Sequence, residues 1–96
     1  MRLVHIIPSP IKGKKYEARF ETDQGRSITT HFGATGYSDF TQHKDEARKE
    51  RYLKRHQATE DWNDPTSAGA LSRWILWNKP TLLGSVRDFK QRFHLT

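Results

Sequence analysis

Two runs of alternating apolar and polar residues, separated by a short turn, most constrain what this chain can fold into. Residues 16–20 place apolar side chains at every second position, and residues 27–32 repeat the pattern. A period of two is typical of a strand with one buried face. The turn at residues 23–25 ends in Gly25, which can adopt a positive φ. The two runs therefore predict a β-hairpin, to which residues 3–7 could add a third strand.

The last part of the chain carries a helical pattern instead. Leu82, Val86, Phe89 and Phe93 recur at i, i+4, i+7 and i+11, which places them on one face of an amphipathic helix. Thr81 precedes this run and is a good N-cap residue. The sequence therefore predicts a C-terminal helix that packs through this apolar face.

A further helix is expected from a cap at Thr66 or Ser67 to about Asn78, because Leu71 and Ile75 share a face with Asn78. Only a few residues connect it to the C-terminal helix, so the two should form an αα-hairpin. The predicted fold class is α+β, with a small antiparallel sheet of two or three strands packed against two or three helices. We expect a single domain, residues 1–96, with a β-hairpin region at 1–36 and a helical region at 43–93.

Charge and composition narrow the function classes. The net charge of +6 and the pI near 9.9 favour nucleic acid, anionic lipid or an acidic protein as partner. The chain has no cysteine, which excludes disulfides and thiolate metal sites. Its apolar runs are too short to span a bilayer, and the N-terminus lacks a secretory apolar region. We therefore expect a soluble, intracellular protein that is not secreted and has no membrane partner.

An ordered row of cations lies in the charged segment at residues 44–56. If this segment is helical, Lys44, Arg48, Arg51 and Arg55 fall within about 60° of one another on the helix wheel. These four residues are called the basic stripe below. Cations one helical turn apart can follow phosphate groups, and the planar guanidinium suits phosphate oxygens. The sequence therefore predicts a nucleic-acid or anion-binding surface here.

Neighbouring charged and apolar residues affect whether the cations of the stripe are unpaired and exposed. Asp45 and Glu50 precede Lys49 and Lys54 by four residues, so these pairs should neutralise each other and leave the stripe unpaired. The helix should start near residues 43–45. Leu53 lies almost opposite the stripe, so burial through Leu53 would leave the cations exposed.

The alternative is that the stripe pairs within the domain or simply faces water. Candidate internal partners for the arginines are Asp39, Glu60, Asp61 and Asp64. Charged runs in small proteins usually form solvated faces, so this alternative stays open.

Other residues could extend the surface. Lys14, Lys15 and Arg87 are auxiliary cations, and Trp62, in a polar loop, is the best candidate for an exposed aromatic contact. Aromatic side chains can stack on the bases of single strands, and Tyr37 and Phe40 belong to the same class of candidates. Trp74 and Trp77 lie in the most apolar segment and are expected mainly in the core.

The histidines show no spacing typical of a metal site. Zinc needs three or four converging donors, and His31, His43 and His56 have no short ligand spacing. Asp39 and His43 are four apart and could form an acid–imidazole pair or half of a metal site; the simpler interpretation is a hydrogen bond at a helix start. Gly33 and Gly36 lie in a loop that lacks the Gly-Lys-Ser/Thr ending of a P-loop. No metal or other cofactor is predicted.

Three segments together carry a resemblance to a known group of proteins. They are HFGATGYSDFTQH at residues 31–43, KDEARKERYLKRH at 44–56 and WNDPTSAGALSRWILWNKP at 62–80. In this order they resemble small basic proteins encoded by large DNA viruses of algae and amoebae, over roughly residues 16–93. That family has no assigned activity. The resemblance therefore implies a viral setting, in the host cytoplasm or nucleus or within the virion, and no catalytic residues.

The leading hypothesis is a small basic viral protein that associates with nucleic acid, without catalysis, through phosphate contacts of the basic stripe. The alternative is a structural or adaptor protein of the virion that docks on an acidic protein surface such as a capsid component. The weakest alternative is a metal-dependent nuclease using Asp39 and His43. The oligomeric state is not predicted.

Overall fold

A three-stranded antiparallel sheet forms the first third of the chain in the computed structural model, which describes residues 1–96. Its strands are β1 (Arg2–Pro8), β2 (Lys14–Glu21) and β3 (Ser27–Ala34), with β2 in the centre. In the hairpin register Tyr16 lies opposite Phe32. The predicted hairpin and its third strand are confirmed.

Helices make up the remainder. They are α1 (Phe40–His43), α2 (Glu46–His56), α3 (Ala68–Leu71), a π-helical segment (Ser72–Leu76) that continues α3, and α4 (Leu82–Arg92). Ser67 and Thr81 cap α3 and α4, and their side chains accept hydrogen bonds from the backbone N–H groups of Ala70 and Gly84. The last two helical segments pack on each other, so the predicted α+β class is confirmed.

The core lies between the sheet and the C-terminal helices. Phe20 and Phe32 from the sheet are fully buried with Ile75 and with Phe89 of α4. The Phe20 and Phe89 rings lie 6.3 Å apart between centroids. Strands and C-terminal helices therefore share one apolar cluster, and α2 packs beside it and contributes no residue to it.

Tyr52 attaches α2 to the rest of the molecule. It is the one buried residue of α2, and its ring stacks on Trp77 at 4.2 Å with planes only 4° apart. The ring of His56 stacks against Tyr52 as well, also at 4.2 Å. Leu53, which the sequence suggested as the anchor, is only partly buried. A large flat ring gains more from this contact than a partly buried leucine, because stacked aromatic pairs add to area burial.

The second attachment of α2 is polar. Lys49 reaches across to donate a 2.7 Å hydrogen bond to the backbone oxygen of Asn78, and its ammonium lies 4.8 Å above the Phe40 ring. Burial lowers the pKa of Lys49 from its ordinary value, while the carboxylate of Glu46 opposes this shift. The expected ion pair of Lys49 with Asp45 is therefore absent.

The start of α2 differs from the expectation at Lys44. Asp45 is the N-cap, and its carboxylate accepts hydrogen bonds from the N–H groups of Ala47 and Arg48. Lys44 precedes this cap with φ 56°, and its ammonium donates to the backbone oxygen of Thr41. Lys44 is thus the C-cap of α1. It does not belong to the face of α2, because that helix begins only after the cap Asp45.

The remaining expected pair on α2 is also absent, since Glu50 and Lys54 form no ion pair. Both side chains are exposed, where such pairs add little stability. None of the helices has the length and apolar character needed to cross a membrane.

Candidate anion-binding cleft

An open cleft of about 650 Å³ lies between α2 and the end of the β2–β3 hairpin. Arg48, Arg51 and Arg55 line its helical side, and Lys14 and Lys15 line its strand side. Apolar and aromatic side chains from β3, α2 and the π-helical segment complete its lining: Phe32, Tyr52, Leu76 and Trp77. The cleft is therefore cationic at its sides and apolar between them.

The position of Tyr52 explains why the arginines line this cleft. On the α2 helix wheel Tyr52 is about 40° from Arg48, and Arg51 and Arg55 lie on the far side of Arg48. Burial of Tyr52 therefore turns the three guanidiniums toward the edge of the packed face. They border the cleft and do not point directly away from the molecule.

These arginines have no partner within the chain. Arg48, Arg51 and Arg55 are exposed, and none forms a side-chain hydrogen bond or an ion pair. The acids that could have neutralised them are used elsewhere, because Asp61 and Asp64 accept hydrogen bonds from the backbone of their own loop. Lys14 is equally exposed and unpaired. The cleft therefore holds four cations that form no ion pair within the chain.

Lys15 is different, since it forms the best-buried ion pair of the molecule. Its ammonium donates to the carboxylate of Asp39 at 2.6 Å and to the side-chain oxygen of Gln42 at 3.1 Å. Asp39 is also the N-cap of α1 and accepts from the backbone N–H of Thr41. Lys15 therefore joins β2 to α1 and is a structural cation at the border of the cleft.

Glu60 is the second acid of the cleft, and it too is bonded. Its carboxylate lies 3.1 Å from the Nδ1 atom of His56 and accepts from the indole N–H of Trp62 at 3.2 Å. Gly69 makes room for it, since a Cβ atom there would lie only 3.1 Å from the Cβ of Glu60. The lining also includes residues with small side chains or none, namely Ala34, Ala68 and Gly69.

Three predicted site residues lie outside the cleft. Lys44 lies before α2, and Arg87 is exposed on α4. Trp62 is half-buried, and its backbone oxygen accepts a 2.9 Å hydrogen bond from the indole N–H of Trp74. Trp62 thus covers the edge of the helical layer. The cleft brings together the other five predicted residues: Lys14, Lys15, Arg48, Arg51 and Arg55.

The sequence did not indicate which aromatic rings line the cleft. Tyr52 was not a predicted site residue, Trp77 was expected mainly in the core, and Tyr37 was named as a stacking candidate without a location. Tyr37, with 75% of its surface exposed, lies at the cleft in the loop that precedes α1. Its surroundings in the sequence, Gly36 and Ser38, indicated a loop but not which residues face it across the fold.

His43 and Asp39 do not form the expected pair. The Nδ1 atom of His43 accepts a 2.9 Å hydrogen bond from the backbone N–H of Asp45, and the carboxylate of Asp39 bonds to Lys15 and Thr41. Burial lowers the pKa of His43, and the charge of nearby Arg48 lowers it further. Asp39 thus caps α1, and His43 holds the turn between α1 and α2. No group of three or more histidine or acidic side chains is arranged to hold a metal ion.

Comparison with known proteins identifies the family of this chain. Residues 4–56, more than half of the 96-residue chain, match DUF5754, a family of unknown function. The chain belongs to this family. The matching range of DUF5754 runs from β1 to the end of α2, so it includes every lysine and arginine that lines the cleft. No curated protein and no solved structure matches the chain.

Proposed function

We propose that this DUF5754 protein associates with nucleic acid, without catalysing a reaction, through contacts to the phosphate backbone. The observation that carries the proposal is the row of three unpaired guanidiniums, Arg48, Arg51 and Arg55, along a cleft that also contains unpaired Lys14. Four unpaired cations in one concavity, where Glu60 is the one acid not paired with a lysine, create a positive potential that attracts a polyanion. Ordinary surface lysines and arginines, spread over a domain, do not converge in this way.

The contacts would act by neutralising charge. Each phosphate that meets an arginine releases condensed counterions, which makes binding favourable at low salt and weakens it steeply as salt rises. Guanidinium groups can donate two parallel hydrogen bonds to phosphate oxygens. Because phosphates are the same at every position, contacts of this kind position a strand without reading its sequence.

The proposed setting follows from the resemblance of the sequence to small basic proteins of large DNA viruses. A protein of such a virus would meet nucleic acid in the host cytoplasm, in the nucleus or inside the virion. The alternative role, docking on an acidic protein surface such as a capsid component, would use the same cations.

Salt-titrated binding to single-stranded and duplex DNA and RNA, followed by fluorescence anisotropy, tests the proposal. The variant Arg48→Gln/Arg51→Gln/Arg55→Gln removes the row. We expect the slope of log K against log salt to fall in magnitude by about 2 to 3, since each phosphate contact contributes about 0.7 to 0.9.

A matched control removes the same amount of charge elsewhere. Lys12, Arg26 and Arg87 are exposed, lie outside the cleft and form no side-chain bonds, so Lys12→Gln/Arg26→Gln/Arg87→Gln should keep most of the wild-type slope. An equal decrease of the salt slope in the two triple variants would contradict the proposal, because net charge alone would then explain the binding. Absence of any nucleic-acid binding at low salt, together with salt-dependent binding to an acidic protein, would favour the alternative role.

A further inference from the structure

We propose that the cleft accepts one nucleotide unit of a single strand, with its base stacked on Tyr37 and its flanking phosphates on the α2 arginines. This inference rests on the proposed function and adds to it the class of nucleic acid. Three features of the cleft support it: its size, the free faces of Tyr37 and the cations that border it.

The size of the cleft favours a single strand. A volume of about 650 Å³ is in the range of about 300 to 1,000 Å³ that is typical of pockets for small molecules. An unpaired nucleotide fits such a space, whereas a base inside a duplex is stacked and paired and cannot enter it without being flipped out. The partly exposed ring of Trp77 in the lining suits the body of a base and carries no charge for a phosphate.

Tyr37 is the aromatic ring in the cleft with its faces free. It packs on no other ring and forms no side-chain hydrogen bond, and 75% of its surface is exposed. The loop that carries it is held close by, because the capping box of Asp39 and Gln42 starts α1 two residues later. The ring is therefore presented to solvent from an anchored backbone.

The other aromatic rings near the cleft are already covered. Tyr52 has Trp77 on one side and His56 on the other. Trp74, outside the cleft, lies under the guanidiniums of Arg73 and Arg92, at 4.1 and 3.8 Å from the ring centroid. Tyr37 is therefore the ring in the cleft that is available to stack on a base.

Cationic tracks combined with exposed aromatic rings are the usual means of binding single strands. Here the cations of α2 and Lys14 of β2 border the space in which Tyr37 lies. A strand that runs along the cleft can place phosphates on these cations while one base turns inward to the tyrosine.

Abasic oligonucleotides provide the sharpest test, because they keep the phosphates and lack the bases. Wild-type protein should bind an oligonucleotide with bases about tenfold more tightly than an abasic strand of equal length, the factor expected for one stacked base. Tyr37→Ala should abolish this difference, and Tyr37→Trp, which keeps a stacking ring, should preserve it. Binding of Tyr37→Ala to the abasic strand should stay as in wild type.

A second variant blocks the cleft without changing its charge. Ala68 is exposed at the first position of α3 and lines the cleft, so Ala68→Leu fills space, adds no stacking ring and leaves every cation in place. We expect it to lower affinity for the single strand about tenfold and to leave abasic and duplex binding unchanged. Circular dichroism and thermal melting confirm that both variants are folded.

The outcomes separate the two proposals. Equal affinity for base-containing and abasic strands, both sensitive to the arginine triple variant, would overturn the nucleotide site and leave phosphate association intact. Failure of wild-type protein to bind any nucleic acid would overturn both. Preference for duplex over single strand, unaffected by Ala68→Leu, would also exclude the nucleotide site.

Discussion

Among single residues, Gly33 meets two structural demands at once. Its φ is +80°, in the left-handed region that costs other residues about 1 to 2 kcal/mol. A Cβ atom there would also lie 2.9 Å from the Cδ1 atom of Leu76 and 3.1 Å from the Cβ of Lys15. Gly33 therefore lets β3 end close to the π-helical segment, where the floor of the cleft forms.

Gly33→Ala should lower the free energy of unfolding by about 2 to 4 kcal/mol, because overpacking against Leu76 adds to the cost of the positive φ. Gly25→Ala is the matched control, since Gly25 has φ +81° and open space around its Cβ position. It should cost only about 1 to 2 kcal/mol. Urea unfolding of both variants measures the difference. Equal losses of unfolding free energy would show that the close approach to Leu76 does not destabilise Gly33→Ala.

His43 makes folding stability depend on pH. Its Nδ1 atom must be unprotonated to accept the hydrogen bond from Asp45, and its Nε2 atom is buried without a partner. The pKa of His43 is lowered by burial and by Arg48, with Lys15 acting in the same direction and Asp45 and Asp39 opposing it. The folded protein therefore binds this proton less readily than the unfolded chain.

Because the folded pKa is lowered, the stability that neutral His43 contributes is complete above the unfolded pKa of about 6.5. It is lost as pH falls below that value, by up to about 1.4 kcal/mol per pH unit. Urea unfolding between pH 8 and pH 5 should show a smaller acid-induced loss for His43→Gln than for wild type. The exposed His94 provides the control through His94→Asn, which should follow wild type. Identical pH profiles for wild type and His43→Gln would contradict this role.

At the scale of elements, the attachment of α2 determines the geometry of the cleft. The aromatic stack of His56, Tyr52 and Trp77 joins this helix to the end of the π-helical segment. The π-helical turn contributes two adjacent buried residues, Ile75 and Leu76, the latter only 2% exposed.

Tyr52→Ala should cost about 3 to 5 kcal/mol of unfolding free energy, the usual range for removal of a buried aromatic ring. It should also weaken nucleic-acid binding, because the arginines would lose their fixed position. Leu53→Ala is the control next to it in sequence. Since Leu53 is only partly buried, it should cost about 1 kcal/mol and leave binding unchanged. Thermal unfolding combined with anisotropy measures both effects. A larger loss of stability for Leu53→Ala than for Tyr52→Ala would show that Leu53, and not Tyr52, anchors α2.

At the scale of the whole molecule, stability should be uneven. The core cluster joins the sheet to α3, the π-helical segment and α4, whereas α2 buries only Tyr52. Elements with few buried apolar contacts open at lower free energy than the core. The three arginines of the cleft thus lie on an element that buries a single residue.

Hydrogen exchange should show this gradient. We expect amides of the central strand β2 to be the most protected and amides of α2 to exchange through local opening. A bound oligonucleotide should slow exchange in α2 more than in β2, because it connects α2 to the strand side of the cleft. Exchange followed by mass spectrometry, with the arginine triple variant as control, measures both effects. Uniform protection of the two elements would contradict the proposed gradient.

Local patterns in the sequence determined much of the fold. The alternation in residues 16–20 and 27–32 predicts the hairpin, and the caps Ser67 and Thr81 predict the starts of α3 and α4. Each of these signals acts between residues that are close in the chain, where backbone hydrogen bonding and side-chain period decide the outcome. Whether Arg48, Arg51 and Arg55 pair within the domain was left open, and the suggested anchor, Leu53, was wrong.

Only the tertiary structure decided where the cations lie and what surrounds them. The spacing of Lys44 fits a helix wheel, and the sequence therefore placed it in the basic stripe. In the structure Asp45 is the N-cap, and the helix begins after Lys44. Lys14 and Tyr37 reach the cleft through the sheet and the loop that follows it, contacts that no local pattern encodes. The physical reason is that the aromatic stack on Trp77 orients α2, and this contact joins residues distant in the chain.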